Sequence, residues 1–356
     1  MPSSVDWATF NSMSTGIRAV GLVSGGLDSA LAVAVVKRAG VDVVGLHVAI
    51  GFSNASMRRE ILGESRDIIA SEESVRMSAA FRVPVRVVDF SGEYMDVLLH
   101  PRHGYGANAN PCIDCHIFMI KKAREIMVRE GAHFVFTGEV LGQRPMSQNI
   151  RALELIDRES GLEGFLVRPL SARLLPGTVV EKNGWLDGDA LLDIQGRSRR
   201  RQMELAAEMG VTGYSAPAGG CMLTDEHYAG RLKDWLQYRG SAPLRREETL
   251  LFSVGRHFRL SASVKLVVGR HEAEDLSRER ERRSGWLASP LDVPGPTVLV
   301  QGLPSDDCLR VAASFVARYG GAKCSPAARV VVRRGDVEKI FTAVPASEDL
   351  IERCRI

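Results

Sequence analysis

No stretch of this chain is apolar over the roughly 20 residues that a membrane-spanning helix needs. Net charge is also small, +3 over 356 residues, which by itself does not argue for a nucleic-acid partner. Cysteine is scarce, with six residues, and a chain of this length buries a full core without disulfides. These absences predict a cytoplasmic protein without a membrane segment, whose cysteines serve as metal ligands, catalytic groups or core residues.

A glycine-rich loop near the start of the chain is the most informative motif. It follows a short apolar run and precedes an apolar helical pattern, which gives the order strand, loop, helix. Two adjacent glycines let the backbone approach an anion, and the serine hydroxyls and the first N–H groups of the helix are donors. The loop is therefore predicted to cradle phosphates. Its residues are Ser24, Gly25, Gly26, Leu27, Asp28 and Ser29.

Asp28 is the unusual member of this loop. A carboxylate repels phosphate unless a cation lies between them, so we expect Mg²⁺ beside Asp28. The loop is not a Walker A motif, because no Gly-Lys-Ser/Thr sequence follows it. Asp28 is accordingly predicted to act in catalysis as well as in cofactor binding.

Residues 16–240 alternate between apolar runs and helical patterns, which predicts an α/β fold with a doubly wound parallel sheet. The ligands of such sheets lie beyond the carboxyl ends of the strands, where the loop falls. By the same rule, His47 at the end of the second strand is predicted to border the ligand. We expect strands at 18–23, 42–48, 85–90, 133–136, 153–156 and 166–170, and helices at 28–39, 57–81 and 198–209.

Residues 241–356 differ in character from the first domain. They hold short β-like runs at 250–254, 266–269, 297–300 and 329–332, with a helix at about 305–318. This pattern predicts a second, smaller α+β domain. Residues 1–15 are polar, and we expect them to form a flexible N-terminus.

Three cysteines are candidates for chemistry. Two belong to the sequence C-x-x-C-H at 112–116, and Cys221 follows two glycines. Haem attachment is disfavoured, because we expect no export signal and a phosphate-binding loop lies nearby. Zinc held by Cys112, Cys115, Cys221 and His116, a metal-free redox or persulfide pair, and an iron–sulfur cluster stay open. The cluster is favoured, because three thiolates leave one iron without a protein ligand and able to hold sulfide.

The loop at 24–29 resembles the PP-loop of ATP pyrophosphatases, which cleave ATP to AMP and pyrophosphate while activating a carbonyl oxygen. Thr137–Gln143, with the Ser147-Gln148 pair and Arg168-Pro169-Leu170, resembles the ThiI family of tRNA 4-thiouridine synthetases. The Asn-Pro-Cys-x-x-Cys segment also resembles 2-thiouridylases of the MnmA type. The resemblance covers about residues 16–230.

Thiolation of tRNA is what this resemblance implies. ATP would lie on the PP-loop with Mg²⁺ beside Asp28, and Gly138 and Gln143 would line the far wall of the site. A uridine carbonyl oxygen would be adenylated, and sulfur would then replace AMP. We expect 4-thiouridine as the product. The alternatives are 2-thiouridine or 2-thiocytidine, sulfur or amide transfer to a small molecule, and a non-catalytic iron–sulfur protein that binds RNA.

The resemblance also assigns roles to the cysteines. Cys112, Cys115 and Cys221 would be catalytic and would hold a [4Fe–4S] cluster that delivers sulfide, with zinc or no metal as alternatives. In the metal-free version, Cys221 would carry a persulfide that a second cysteine resolves. Cys221 falls where the late catalytic cysteine of the ThiI family lies.

The chain departs from the ThiI pattern at two points: we expect neither a THUMP RNA-binding region nor a rhodanese domain. The second domain, with its runs at 255–259 and 265–270, resembles, more weakly, the RNA-binding NFACT-R domain. The expected partners are tRNA and either free sulfide or a sulfur-donor protein. The oligomeric state stays open, with a homodimer among the options.

Basic residues gather around the junction of the two domains. Residues 228–285 contain thirteen Lys and Arg and eight Asp and Glu, which gives a net charge of +5. Such a patch binds phosphates without reading bases. The alternating charges of 278–283 predict a solvated helix face, whereas the arginines of 197–201 are the better candidates for contact with phosphate.

Overall fold

The computed structural model describes residues 16–214, 220–269, 285–321 and 326–356. These residues form two compact units. The first comprises the described residues up to Glu60 and those from Glu64 to Cys221, and the second comprises Ile61–Gly63 and the described residues from Met222 onward. No helix within the described ranges is both long enough and apolar enough to cross a membrane.

The first unit is built on a parallel sheet. Its strands are β1 (Arg18–Leu22), β2 (Asp42–Ala49), β3 (Val85–Asp89), β4 (Phe134–Thr137) and β5 (Leu166–Val167). They lie in the order β3-β2-β1-β4-β5, and every neighbouring pair is parallel. The order reverses between β1 and β4, so the loops that follow these two strands meet at the switch point, where such sheets bind ligands. The predicted doubly wound α/β fold is confirmed.

Helices cover both faces of this sheet. They are α1 (Leu27–Arg38), α2 (Asn54–Ile61), α3 (Arg66–Phe81), α4 (Ser91–Leu99), α5 (Cys112–Arg129), α6 (Ile150–Ser160), α7 (Val179–Lys182) and α8 (Arg200–Glu208). Successive residues of β1 point to opposite faces, so Ala19 joins the core under α1 and Val20 joins the core under α5. Both β1 and α1 are therefore apolar around most of their surface. They anchor the two ends of the loop 24–29 that joins them, which we call the cradle.

Two expectations about secondary structure in this unit are wrong. Residues 153–156 lie within α6, where Asn149 accepts a hydrogen bond from the backbone N–H of Ala152 and caps the helix. Leu153 and Ile156 are buried at a helical spacing, which a short apolar run does not distinguish from a strand. The single helix expected at 57–81 is two helices, α2 and α3, because the chain turns at Gly63 with φ +98°.

The second unit is built on an antiparallel sheet. Its strands are β6 (Arg256–Ser261), β7 (Val264–Val268), β8 (Gly285–Pro290), β9 (Val298–Gly302), β10 (Ala328–Arg334) and β11 (Val337–Ala343). They lie in the order β11-β10-β8-β9-β7-β6. The described helices of this unit are α9 (Glu226–Tyr238), α10 (Arg246–Leu251), α11 (Asp306–Tyr319) and α12 (Glu348–Cys354).

The core of the second unit lies between its sheet and α11. Phe315 of α11 packs on Phe258 of β6, with ring centroids 4.7 Å apart. The expected β-like run at 250–254 is wrong, because Leu250 and Leu251 end α10. The capping contacts between Arg245 and Glu248 begin that helix, and they outweigh the β-like composition of the five residues.

Candidate active site

The loop after β1 has the shape that its glycines require. Gly25 has φ +76°, a left-handed conformation that glycine adopts without strain. The Ser29 hydroxyl accepts a hydrogen bond from the backbone N–H of Ser24 at 3.3 Å and donates to the carbonyl oxygen of Gly26 at 2.9 Å. Gly26, the residue before α1, has no side chain to cap the helix. Ser29 therefore holds the loop in shape, and Ser24 is the exposed hydroxyl of the cradle.

The loop after β4 packs directly on this cradle at Gly138. A Cβ atom at Gly138 would lie 2.6 Å from the backbone nitrogen of Ser29 and 2.7 Å from the carbonyl oxygen of Asp28. No side chain fits at those distances, so only glycine lets the two loops of the switch point meet. The structure thus brings Gly138 to the cradle, where its contact is with protein backbone.

Two side chains from distant parts of the chain reach Asp28. Arg199 Nη2 lies 2.9 Å from Asp28 Oδ2, and Gln143 Nε2 donates to the same oxygen at 3.0 Å. Within the described part of the chain, buried Asp28 Oδ1 and Gln143 Oε1 have no hydrogen-bond partner. Buried polar atoms are almost always paired, so these two oxygens mark a place for a ligand.

Magnesium fits this set of donors. The two buried oxygens are a carboxylate and an amide oxygen, both hard ligands of the kind that Mg²⁺ takes. Arg199 supplies the positive charge that an acid beside phosphate needs. Asp28 and Gln143 are therefore the residues that would hold the ion.

His47 lies against the cradle from β2. Its Nδ1 is 2.9 Å from the carbonyl oxygen of Val23, the residue just before the loop, and its Nε2 is 3.8 Å from the carboxylate of Glu73. The ring is therefore held through Nδ1, and Nε2 lies near a carboxylate. The structure places it at the start of the loop.

A buried ionic network holds the loop after β4 to the helix that carries the cysteines. Glu139 accepts hydrogen bonds from Thr137 Oγ1 and Arg168 Nε at 3.0 Å each, and lies 2.7 Å from His116 Nδ1. Arg168 also pairs with Asp157 through both terminal nitrogens. Burial opposes ionisation of Glu139, but Arg168 and His116 outweigh it and hold the pKa of Glu139 to about 2.

The three candidate cysteines share one region of the first unit. Burial raises the pKa of the Cys115 thiol to about 12; the Tyr94 hydroxyl opposes this, and Cys221 and Cys112 raise the pKa further. Burial also raises the pKa of Cys112, and the charge of Arg144 opposes it. The Cys115 thiolate is thus disfavoured by burial and by the other two thiols, and a bound cation would relieve this.

The described side chains nevertheless do not form a ready metal site. Within the described residues, no three His, Cys, Asp or Glu side chains converge closely enough to hold a metal ion. His116, a possible fourth zinc ligand, is engaged by Glu139. The donor set as placed does not fit zinc or a cluster, so the thiols alone enter the mechanism proposed below.

Backbone contacts position two of the cysteines. Asp114 is buried between Cys112 and Cys115, and its carboxylate accepts hydrogen bonds from the backbone N–H groups of Arg102 and His103. Cys221 forms an isolated antiparallel bridge with Ser53. Asp114 therefore has a structural role in the C-x-x-C-H segment. Residues 217–219, before Cys221, lie outside the described residues.

Three of the four arginines of 197–201 are engaged within the first unit. Arg199 reaches Asp28, Arg200 pairs with Glu204, and Arg201 pairs with Asp193. Contact of this cluster with RNA phosphate stays a prediction. Residues 278–283 and Arg270 lie outside the described residues.

Sequence reasoning missed Arg199 as a partner of Asp28 and missed the network around Glu139. A signal was present for both. Arg199 lies in a cluster of arginines, and Glu139 and Arg168 lie in the two motifs that carried the ThiI resemblance. Asp28 is 171 residues from Arg199, and His116 and Arg168 are 23 and 29 residues from Glu139, so only the fold shows which groups meet.

Comparison with known families matches two parts of the chain. Residues 14–173 match the family model described as "Thiamine biosynthesis protein (ThiI)". Residues 255–355 match the one described as "NFACT protein RNA binding domain". The chain thus combines a ThiI-like region and an NFACT-R-like region, as the sequence predicts.

Curated relatives are similar over part of their length. The chain is 24% identical over 229 residues to the tRNA-specific 2-thiouridylase MnmA of Lachnoclostridium phytofermentans, covering 60% of this chain and 58% of the relative. It is 26% identical to the MnmA of Clostridioides difficile, covering 59% and 56%. The chain therefore spans less than two thirds of the length of these relatives.

A solved 4-thiouridine synthetase–RNA complex with bound ATP is also similar. It is 19% identical, and the match covers 66% of this chain and 54% of that one, with a TM-score of 0.38. That score is too low to support a shared arrangement of the two structures.

Proposed function

We propose that this protein is an ATP-dependent tRNA sulfurtransferase that forms AMP and pyrophosphate. The observation that carries the proposal is the Asp28 site. A glycine loop at the switch point of a parallel sheet holds an acid whose free oxygen suits Mg²⁺ and whose other oxygen meets Arg199. The similarity to ThiI and to 2-thiouridylases supports tRNA as the substrate.

The first step is the activation of a uridine carbonyl. The cradle and α1 bind the phosphates of ATP, and an ion held by Asp28 and Gln143 would neutralise their charge. The carbonyl oxygen attacks the α-phosphate and pyrophosphate leaves, so that a poor leaving group becomes AMP. We propose that Arg199, which reaches Asp28 Oδ2, also pairs with phosphate oxygens as pyrophosphate leaves.

The second step is the replacement of AMP by sulfur. Cys112 and Cys221 are partly exposed whereas Cys115 is buried, so we assign Cys221 as the sulfur carrier and Cys112 as the resolving thiol. A donor persulfide passes its outer sulfur to Cys221. That sulfur attacks the activated carbon, and the carbon–oxygen bond to AMP breaks. The Cys112 thiolate then attacks Cys221 Sγ, which releases the thionucleoside and leaves a disulfide for an external thiol to reduce.

We propose 4-thiouridine as the product, on the strength of the Thr137–Gln143 and Arg168–Leu170 motifs. The named relatives are 2-thiouridylases, so 2-thiouridine is the competing outcome.

The test measures AMP, pyrophosphate and thionucleosides together. The full chain is incubated with ATP, a persulfide donor, a thiol reductant and bulk tRNA that lacks thionucleosides, and the digested tRNA is analysed by mass spectrometry. We expect AMP formation to depend on tRNA and to fall about 100-fold or more in Asp28→Asn. Asp193→Asn, which removes a surface carboxylate paired with Arg201, is the matched control. Absence of both AMP and thionucleoside would refute the proposal.

Iron and acid-labile sulfide analysis tests the predicted cluster. The wild type, Cys221→Ala and the control Cys308→Ala are purified without oxygen. A metal-free, active wild type supports the thiol mechanism. About four iron and four sulfide per chain, lost in Cys221→Ala alone, would replace it with cluster-bound sulfide. One zinc without sulfide would assign a zinc site instead.

A further inference from the structure

The second unit contains a cavity of about 320 Å³ that the proposed chemistry does not use. Helices α9 and α10 form one side of it, and strands β6, β7 and β9 form the other. A cavity of this size is at the lower end of the range for small-molecule sites and is large enough for a nucleoside. Its principal side chains are Trp235, Tyr238, Arg239, Arg259, Lys265 and Gln301.

Aromatic rings and guanidinium groups are paired along this cavity. The guanidinium carbon of Arg259 lies 4.5 Å from the ring centroid of Tyr238, and that of Arg239 lies 5.4 Å from the ring centroid of Trp235. Tyr238 is 39% exposed. Bases stack on both aromatic rings and guanidinium planes, at about 1–3 kcal/mol for each base. The cavity therefore offers stacking surfaces that water reaches.

Buried charge gives the same cavity an affinity for anions. Asp234 holds both Arg259, at 2.9 and 2.5 Å, and Lys265, at 3.3 Å. Lys265 is 5% exposed, and burial lowers its pKa to about 8 against the attraction of Asp234. Arg259 and Lys265 thus share the single negative charge of Asp234. A buried positive charge without a full counter-charge is costly, so a bound anion would stabilise the pair.

The balance of charge indicates the kind of anion. Arg239, Arg259, Lys265 and Glu248 line the cavity, and Asp234 pairs with two of these cations. Three positive and two negative charges leave a surplus of one positive charge. A phosphodiester carries one negative charge, whereas a free triphosphate carries three or four. The surplus therefore matches one nucleotide within a nucleic-acid chain better than it matches free ATP.

We propose that this cavity binds one unpaired nucleotide of an RNA, with its base stacked on Trp235 or Tyr238 and its phosphate at Arg259 and Lys265. The inference rests on the proposed function for the identity of the RNA. It deepens that function, because it assigns the place where the second unit holds the substrate. Helix α9, which supplies both aromatic residues, precedes the range that matches the NFACT domain.

Binding of bulk tRNA to the full chain tests the proposal by fluorescence anisotropy at fixed salt. We expect Tyr238→Leu and Arg239→Gln each to weaken binding about tenfold, and Tyr238→Phe to keep wild-type affinity. Arg256→Gln is the matched control, because Arg256 also lies over an aromatic ring of this unit, that of Tyr319 at 4.9 Å. Circular dichroism melts confirm that the variants fold, and ATP binding measured by calorimetry should be unchanged.

Each other outcome has its own meaning. Equal tRNA binding by Tyr238→Leu, Arg239→Gln and wild type would overturn the cavity proposal alone. A wild type that binds tRNA through these residues but forms neither AMP nor thionucleoside would overturn the proposed function and keep the cavity. Full competition by free ATP or uridine monophosphate at equal concentration would assign the cavity to a free nucleotide. A wild type that does not bind tRNA would overturn the cavity proposal.

Discussion

Asp28 and Glu139 are both acidic, belong to the same unit and lie on the two loops of the switch point, yet their surroundings differ. Both carboxylate oxygens of Glu139 are engaged, by Thr137, His116 and Arg168. Asp28 keeps one buried oxygen without a partner in the described structure. Glu139 therefore stabilises the fold, whereas Asp28 has an oxygen available for a ligand. The burial of the two side chains alone would not have shown this difference.

Replacing Glu139 should have the largest effect on stability. Glu139→Gln keeps the shape of the side chain and leaves the buried Arg168 with less compensating charge. We expect a loss of about 3 kcal/mol in the free energy of unfolding, measured with urea and circular dichroism. Asp28→Asn is the matched comparison and should change stability by less than about 1 kcal/mol. Equal losses in the two variants would abolish the distinction between the two acids.

Low pH should remove the contribution of Glu139 to the free energy of unfolding. Its pKa in the folded protein is about 2, below the ordinary 4.5, so the folded state binds fewer protons than the unfolded state between these values. The stabilisation is therefore complete above about pH 5 and declines as pH falls toward 2. The difference in unfolding free energy between wild type and Glu139→Gln should shrink over this range. A difference that stays constant would show that charge on Glu139 is not its cause.

Adding one methyl group at Gly138 should separate the two loops of the switch point. In Gly138→Ala the new Cβ would overlap the backbone of Asp28 and Ser29, and the cradle must move. We expect a loss of about 2 kcal/mol in stability and weaker ATP binding, measured by thermal melts and calorimetry. Gly92→Ala is the control, since nothing lies within 4 Å of a Cβ there. Normal ATP affinity in Gly138→Ala would show that the cradle does not depend on this contact.

Replacing Arg199 should weaken the binding of ATP and should change the stability of the fold little. In Arg199→Gln we expect ATP to bind about tenfold more weakly, because one charge-assisted contact to phosphate is lost. Arg200→Gln, which breaks a surface pair with Glu204, should bind ATP normally. Calorimetry measures both. An unchanged affinity of Arg199→Gln for ATP would show that Arg199 contacts Asp28 and not the nucleotide.

Local pattern was enough to predict the strand, loop and helix around 24–29, because the apolar runs and glycines that specify them are adjacent in the chain. It was not enough at 153–156, where a short apolar run fits a strand or a helix equally well. The partners of Asp28 were beyond reach for a different reason. Gln143 and Arg199 are 115 and 171 residues away from it, so only the completed sheet brings them together.

The Asp28–Arg199 pair also bears on how fast a nucleotide arrives. An isolated carboxylate at the mouth of the cradle would repel a polyanion over about 10 Å at moderate salt, and would slow each encounter before any contact formed. Paired with Arg199, it presents almost no net field at that range. The protein can thus keep an acid in place for the proposed metal ion without slowing the diffusion of the nucleotide toward the site.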